Sequence, residues 1–115
     1  MAGVLKKTTG LTGLKVEPRP HKILTALYNR ILLSLESAPK EAAYRQHTEA
    51  LIKRNLEYVL TVKDIGKLEE KLGYQVEESI KLAENELMLA RRMAQWKPWL
   101  PLETKPSADQ WKWPL

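Results

Sequence analysis

The last twenty residues of the chain combine all of its tryptophans with most of its prolines. The tryptophans are Trp96, Trp99, Trp111 and Trp113, and four of the seven prolines fall in the same stretch. Proline lacks an amide hydrogen and disfavours helix in the residue before it, so this segment is biased towards extended backbone. A packed Trp side chain buries about 150–250 Å². The segment therefore carries apolar surface that it cannot cover locally, and it must pack on its own domain or on another molecule.

Length and composition limit the chain to one small domain. A chain of 115 residues fits one domain of about a hundred residues. Hydrophobic residues make up 43% and charged residues 29%, which is typical of a globular protein, and no apolar run approaches the ~20 residues of a membrane span. The sequence has no cysteine, so disulfides, thiolate zinc sites, iron–sulfur ligation and cysteine nucleophiles are excluded.

The positive charge is concentrated near the amino terminus. The chain has a net charge of +5, and residues 1–22 hold five Lys or Arg side chains against Glu17 alone. The rest of the chain is nearly neutral. A nucleic-acid-binding domain is expected to carry a basic stripe on its folded face, and none is visible, so we expect no nucleic-acid partner.

Residues 1–20 are predicted to form a basic amino-terminal arm. Gly3, Gly10 and Gly13 interrupt any helix, and Pro18 and Pro20 close the segment. Its basic, hydroxylated and acid-poor composition is that of a mitochondrial targeting segment. The glycines weaken an amphipathic helix, however, so an ordinary arm that packs its leucines on a neighbour is the alternative interpretation.

Apolar residues at helical spacing predict three long helices and one short helix. The predicted boundaries are 21 to 34 or 36, 39–62, a short helix after Asp64 that runs through Leu72, and 76 to at most 97. Ser37 is a candidate N-cap for the second long helix, with Pro39 near its start. Gly73 is expected to stop the short helix.

The last helix has the clearest pattern. Its predicted core positions alternate four and three apart: Val76, Ile80, Ala83, Leu87, Ala90 and Ala94. Such a repeat suits antiparallel packing of helices. Leu82, Leu89 and Met93 lie off this stripe and indicate a second apolar face. We therefore predict an all-α fold, with a small up-down-up three-helix bundle over 21–95, an extended arm over 1–20 and a docking tail over 96–115.

The polar residues of the bundle are predicted to be structural. Three acid–base pairs stand in the favoured i,i+4 order: Glu41 with Arg45, Glu49 with Lys53, and Glu77 with Lys81. The remaining candidates are His47, predicted at the edge of the core, and a run of carboxylates predicted as solvated surface: Glu69, Glu70, Glu77, Glu78, Glu84 and Glu86.

No arrangement of residues predicts an active site. His21 and His47 have no second metal ligand at helical spacing, and no serine lies in a nucleophile elbow. The glycines of the arm are too close together for a phosphate-binding loop. An enzyme is therefore not expected.

Three interpretations of the tryptophan-rich tail remain open. It could fold back across the bundle, dock into a groove on a larger assembly, or sit at a membrane interface, where tryptophans are favoured. The bundle is too slim to bury all of this apolar surface, so part of it is left for a partner. The predicted partner interface combines the arm and the tail: Leu5, Lys6, Lys7, Leu11, Trp96, Trp99, Trp111 and Trp113.

Five segments together resemble one protein family. They are Met1–Leu11, Pro39–Arg45, Leu89–Met93, Trp96–Trp99 and Ala108–Pro114. The family to which they are similar is subunit 5 of the alpha subcomplex of mitochondrial NADH:ubiquinone oxidoreductase, which is respiratory complex I. The resemblance spans nearly the whole chain, and it is least distinctive between Leu51 and Val76.

The resemblance implies a non-catalytic accessory subunit on the matrix arm of complex I, near the quinone-reducing module. Members are imported into mitochondria without an obvious cleaved presequence and lie peripherally on the matrix side of the inner membrane. The resemblance implies no cofactor of their own, since flavin and iron–sulfur clusters belong to the core subunits. The implied neighbours are a core iron–sulfur-protein subunit of the quinone module and a nucleoside-kinase-like accessory subunit, whose contact changes with enzyme state. The alternative is a free helical adaptor or assembly factor that binds partners through its termini.

Overall fold

The computed structural model describes residues 7–113 of the chain. Over that range it is all-helical and contains no strand. The four helices are α1 (Pro20–Leu35), α2 (Ala43–Thr61), α3 (Ile65–Leu72) and α4 (Val76–Trp96). The predicted all-α class is confirmed, and each predicted helix is present. Helices α3 and α4 have the predicted limits, the start of α1 differs by one residue, and α2 begins four residues later than predicted.

Helix α1 lies at the centre of the fold. It packs against both α2 and α4, while the short α3 contacts the same two helices. No Cα atom of α2 lies within 8 Å of one in α4. The predicted three-helix bundle is therefore not confirmed in that form, because α2 and α4 pack on α1 and not on each other. The space between α2 and α4 is an open groove with α1 beneath it.

One apolar core joins the four helices. Leu24 and Ile31 of α1 and Leu68 of α3 are completely buried. Each such side chain contributes about 1.5–3 kcal/mol through burial. The core residues are Leu24, Leu27, Tyr28, Ile31, Leu35, Ile52, Val59, Leu68, Val76, Ile80, Ala83, Leu87 and Ala90. Five of the six predicted core positions of α4 belong to this cluster, and Ala94 is half-buried.

The connection between α1 and α2 differs from the prediction. Helix α2 begins at Ala43 with Ala42 as its N-cap, so the prediction of Ser37 as the cap was wrong. Ser37 Oγ instead donates a hydrogen bond to the Ser34 carbonyl at the end of α1, at 2.9 Å. Ala38 and Ala42 are buried, and packing of these small residues on the core keeps the segment between them out of the helix. A turn in which the Ala42 amide donates to the Pro39 carbonyl delays the start of α2.

Helices α3 and α4 each end at a residue in the left-handed region. Gly73 has φ of 84° and stops α3 as predicted. At the end of α4, Lys97 has φ of 52° and follows the last helical residue, Trp96. A non-glycine residue with positive φ is strained. Pro98 explains the stop, because a residue before proline disfavours the α region.

Two predictions about polar residues of the helices were wrong. His47 is exposed, not at the edge of the core, and Thr48 is buried beside it. Glu77 is only 2% exposed, so it does not belong to the solvated surface. These errors arise because helical periodicity fixes the spacing of a buried stripe better than its rotation about the helix axis.

The predicted i,i+4 pairs are confirmed in one case out of three. Lys53 Nζ lies 2.6 Å from a Glu49 carboxylate oxygen. Arg45 pairs with the same Glu49 at 3.1 Å and not with Glu41, because its guanidinium also donates to the Ala38 carbonyl. The Lys53 ammonium and then the Arg45 guanidinium hold the pKa of Glu49 below its usual value. Lys81 lies 3.7 Å from Glu84 and not beside Glu77.

Candidate partner interface

The tail leaves the helical body at the end of α4. The amide of Lys97 donates to the Met93 carbonyl at 2.9 Å, and the amide of Leu100 donates to the Lys97 carbonyl at 3.1 Å. These two bonds turn the chain away from the helix axis. Trp99 is half-buried in this turn, whereas Trp96 is 62% exposed.

Beyond this turn the tail is held by local hydrogen bonds. The amide of Gln110 donates to the Ser107 carbonyl at 3.1 Å, and the amide of Lys112 donates to the Asp109 carbonyl at 3.1 Å. The Asp109 amide also donates to Ser107 Oγ at 3.2 Å. Two short turns therefore shape the segment without any support from the helices.

The apolar side chains of the tail are almost fully open to solvent. Trp111 is 88% exposed and Trp113 is 86% exposed. Every residue from 100 to 113 is exposed, so this part of the tail does not fold back across the helices. Single exposed apolar residues are normal on a protein surface, but several large ones on one segment mark an interaction site.

The described part of the predicted arm lies at the other end of α4. Leu5 and Lys6 fall outside the described residues, Lys7 is exposed, and Leu11 is 44% exposed. Thr9 is buried, and its backbone carbonyl accepts a hydrogen bond of 2.7 Å from Gln75 Nε2. The described part of the arm is thus fixed to the turn before α4.

The arm and the tail do not form one continuous interface. Gln75, which binds the arm, immediately precedes α4, and the tail begins immediately after it. A helix of 21 residues is about 30 Å long at ~1.5 Å per residue. The structure therefore separates the six described residues of the predicted interface into two surfaces at opposite ends of one helix.

A groove between α2 and α4 was not predicted from the sequence. It has a volume of about 370 Å³, with Tyr28 of α1 among its lining residues. Leu51 and Leu82 line it from α2 and α4 and are about half exposed. The position of Leu82 off the core stripe of α4 was the signal in the sequence, although only the packing of α2 shows what it faces.

A hydrogen bond bridges α2 and α4 across their separation. Tyr44 Oη donates to a Glu86 carboxylate oxygen at 2.8 Å. Burial raises the pKa of Tyr44, and both the hydrogen bond to Glu86 and its negative charge raise it further. Burial likewise raises the pKa of Tyr28, which a hydrogen bond from Asn55 partly offsets. Both tyrosines are neutral structural groups at physiological pH.

Replacing Tyr44 with Phe should weaken the link between α2 and α4. We expect Tyr44→Phe to reduce the free energy of unfolding at pH 7 by about 1 kcal/mol, since one hydrogen bond is lost. The folded protein holds the phenolic proton more tightly than the unfolded chain, whose tyrosine has a pKa of about 10. Stability from this group is complete below that pH and falls as the pH rises above it. Urea unfolding across this range should show a shallower alkaline decline for Tyr44→Phe.

The exposed Tyr74 provides the matched control for this substitution. Tyr74→Phe should leave the free energy of unfolding at pH 7 unchanged, because the side chain is 55% exposed. An unchanged alkaline decline in Tyr44→Phe would contradict the role assigned to the bond with Glu86.

The described residues offer little for metal chemistry. Over residues 7–113, no group of three or more His, Cys, Asp or Glu side chains is arranged to hold a metal ion. His21 is used structurally, since its Nε2 lies 2.9 Å from the Val62 carbonyl and links the start of α1 to the end of α2. In the same range, no helix combines the length and hydropathy needed to cross a bilayer.

Comparison with known proteins assigns the chain to a family. A family model described as "ETC complex I subunit conserved region" matches residues 13–79. The chain is 56% identical to NADH dehydrogenase (ubiquinone) 1 alpha subcomplex subunit 5 of Bos taurus, and the match covers 100% of both chains. The proteins of the same name from Rattus norvegicus and Mus musculus are 55% and 53% identical, again over the full length of each chain. The chain belongs to the complex I subunit 5 family.

The family model and the full-length relatives cover different parts of the structure. The region matched by the family model includes α1, α2 and α3 and ends in the first turn of α4. The tail lies outside that region but within the matches to the mammalian members of the complex I subunit 5 family. The matches to these relatives therefore include both the helical core and the tail.

Proposed function

We propose that this protein is a non-catalytic accessory subunit of mitochondrial respiratory complex I. In this proposal it lies on the matrix arm near the quinone-reducing module and supports electron transfer from NADH to ubiquinone by holding neighbouring subunits together. Membership of the complex I subunit 5 family supports the proposal. Flavin and iron–sulfur clusters are assigned to the core subunits, and this chain is proposed to bind no cofactor.

The exposed tail is the observation that carries the proposal. Trp111 and Trp113 present nearly their whole side chains to solvent on a segment without support from the helices. Burial of one Trp at a partner surface contributes up to about 4–6 kcal/mol, from its area and ~25 cal/mol per Å². Interfaces are accordingly anchored by a few large aromatic residues. A docked tail accounts for this surface, whereas an isolated protein would leave it in water.

Two neighbours are proposed for the two surfaces of the protein. They are a core iron–sulfur-protein subunit of the quinone module and a nucleoside-kinase-like accessory subunit whose contact changes with enzyme state. Lys7 and Leu11 are exposed near the start of α4 and form the second proposed contact, together with Leu5 and Lys6. The proposed location is peripheral, on the matrix side of the mitochondrial inner membrane.

Size separation of a mitochondrial extract tests this function. A structural subunit should be found only in the large assembly, and it should be depleted when assembly of complex I is blocked. A free helical adaptor or assembly factor should instead appear substantially as a protein of about 13.3 kDa. Detection of most of the protein in that small fraction, with complex I intact, would reject the proposal.

A further inference from the structure

The tail contains two short units in which a lysine lies between two tryptophans. The first unit is Trp96–Trp99, which contains Lys97, and the second is Trp111–Trp113, which contains Lys112. The third lysine of the tail, Lys105, has no tryptophan beside it. Each unit thus combines two indole rings with one ammonium group.

The charged side chains around these units are mostly cationic. From residue 88 to residue 113 there are five Lys or Arg side chains, against Glu103 and Asp109, which gives a net charge of +3. The two carboxylates lie between the units and not inside either one. Arg91 and Arg92 extend the basic surface along the last turns of α4.

The lysines of the two units form no ion pair within the described part of the chain. The ion pairs found over residues 7–113 involve Arg45 and Lys53 with Glu49, and Lys81 with Glu84. Lys97 and Lys112 are exposed and adjoin exposed apolar rings. The complementary surface is therefore an apolar cleft bordered by carboxylates, since it covers the indole and neutralises the ammonium group together.

A protein surface fits these observations better than a lipid surface. Binding to an anionic membrane surface is typical of clusters of about four to eight basic residues. The five basic residues between 88 and 113 are not such a cluster, because they are spread over the end of α4 and the whole tail and alternate with Glu103 and Asp109. Two of the tail's three lysines also stand between tryptophans in the sequence, which favours a partner with carboxylates beside apolar clefts.

We infer that the two units bind as paired anchors to a neighbouring protein surface on which carboxylates border two apolar clefts. This inference rests on the proposed function and specifies the chemistry of its partner. The eleven residues from 100 to 110 connect the units and can span up to about 36–40 Å. Linked anchors bind more tightly than either alone, because the second binding event is intramolecular and can gain a factor of about 10²–10⁴.

Charge reversal at two lysines of the same tail tests the inference. Complex I containing Lys112→Glu, Lys105→Glu or the unchanged protein is washed with increasing sodium chloride, and the fraction retained is measured on native gels. At the salt concentration that releases half of the unchanged protein, we expect Lys112→Glu to be retained about tenfold less, because a carboxylate then faces a carboxylate. Lys105→Glu carries the same change in net charge and should behave like the unchanged protein.

If Lys105→Glu and Lys112→Glu reduced the retained fraction equally, the inference would be overturned. That result would indicate diffuse attraction to an anionic surface. Binding of the full chain to vesicles of phosphatidylcholine and cardiolipin, weakened equally by both substitutions, would identify that surface as lipid. Retention of both variants at the level of the unchanged protein would reject a role for the lysines. In either case, if removal of the tail still releases the protein from complex I, the proposed function remains supported.

The Trp111→Ala and Trp113→Ala double variant tests the pairing of the two anchors. It should retain weak binding through the first unit and should be released at lower salt than Lys112→Glu. Retention equal to that of the unchanged protein would show that the second unit is not an anchor.

Discussion

Removing residues 100–115 should leave the helical fold intact and release the protein from complex I. Residues 100–113 are exposed, and their hydrogen bonds lie within the tail or in the turn at Lys97. Their removal therefore costs the isolated protein little stability. We expect its free energy of unfolding to change by less than ~0.5 kcal/mol, as for other changes at exposed positions. The complex, in contrast, loses two tryptophan anchors. Loss of one of two linked binding units weakens association by about 10²–10⁴.

The measurement is co-migration with complex I on a native gel, in cells that lack the natural protein. A full-length control distinguishes the effect of shortening the tail from the effect of removing its apolar side chains. In this control, four exposed residues are replaced with serine: Leu100, Leu102, Trp111 and Trp113. Most of each variant should be lost from the assembled complex, because only weak binding through the first unit remains, and the helical signal by circular dichroism should be unchanged. Normal co-migration of either variant would refute docking through the tail.

Substitution of Leu24 by Ala should have the largest effect on the stability of the fold. Leu24 is completely buried in α1, the helix against which both α2 and α4 pack. Leu→Ala in such a site costs about 2–5 kcal/mol, because apolar burial is lost and a cavity remains. A domain of this size has a net stability of only ~5–15 kcal/mol. The substitution thus removes a large part of the total.

Leu33 on the same helix provides the matched control. It is 67% exposed, so Leu33→Ala should change the free energy of unfolding by less than about 0.5 kcal/mol. Urea unfolding of both variants measures the difference directly. Similar free energies for the two would contradict the central position of α1. In cells, the destabilised Leu24→Ala protein should also be less abundant, because unfolded chains are removed by proteases.

The sequence pattern predicted the core of α4 more accurately than the start of α2. Val76, Ile80, Ala83 and Leu87 follow a regular repeat that only one helix face can satisfy. The residues before α2 offered two signals for the same start, a serine suited to capping and a proline suited to a first turn, and both placed it about four residues too early. The outcome depended on burial of Ala38 and Ala42, which is a tertiary effect and has no local signature.

The sequence predicted only part of the candidate interface. Its prolines predicted an extended tail, but the composition left open whether Trp111 and Trp113 pack on the helices, and their exposure is known only from the structure. The separation of the arm from the tail follows from the length of α4, whose limits the sequence predicted closely. The groove between α2 and α4 required knowledge that both helices pack on α1, and no single helix pattern contains that information.

The position of α4 between the arm and the tail gives the protein a fixed span. One end of the helix is tied to the arm through Gln75 and Thr9, and the other end leads directly into the turn at Lys97. A straight helix does not stretch, so two neighbours bound at these ends would be kept at a set distance of about 30 Å. They would also be kept at a set angle about the helix axis, since each added residue rotates one end by about 100°. The protein would then act as a spacer whose length is determined by the number of residues in α4.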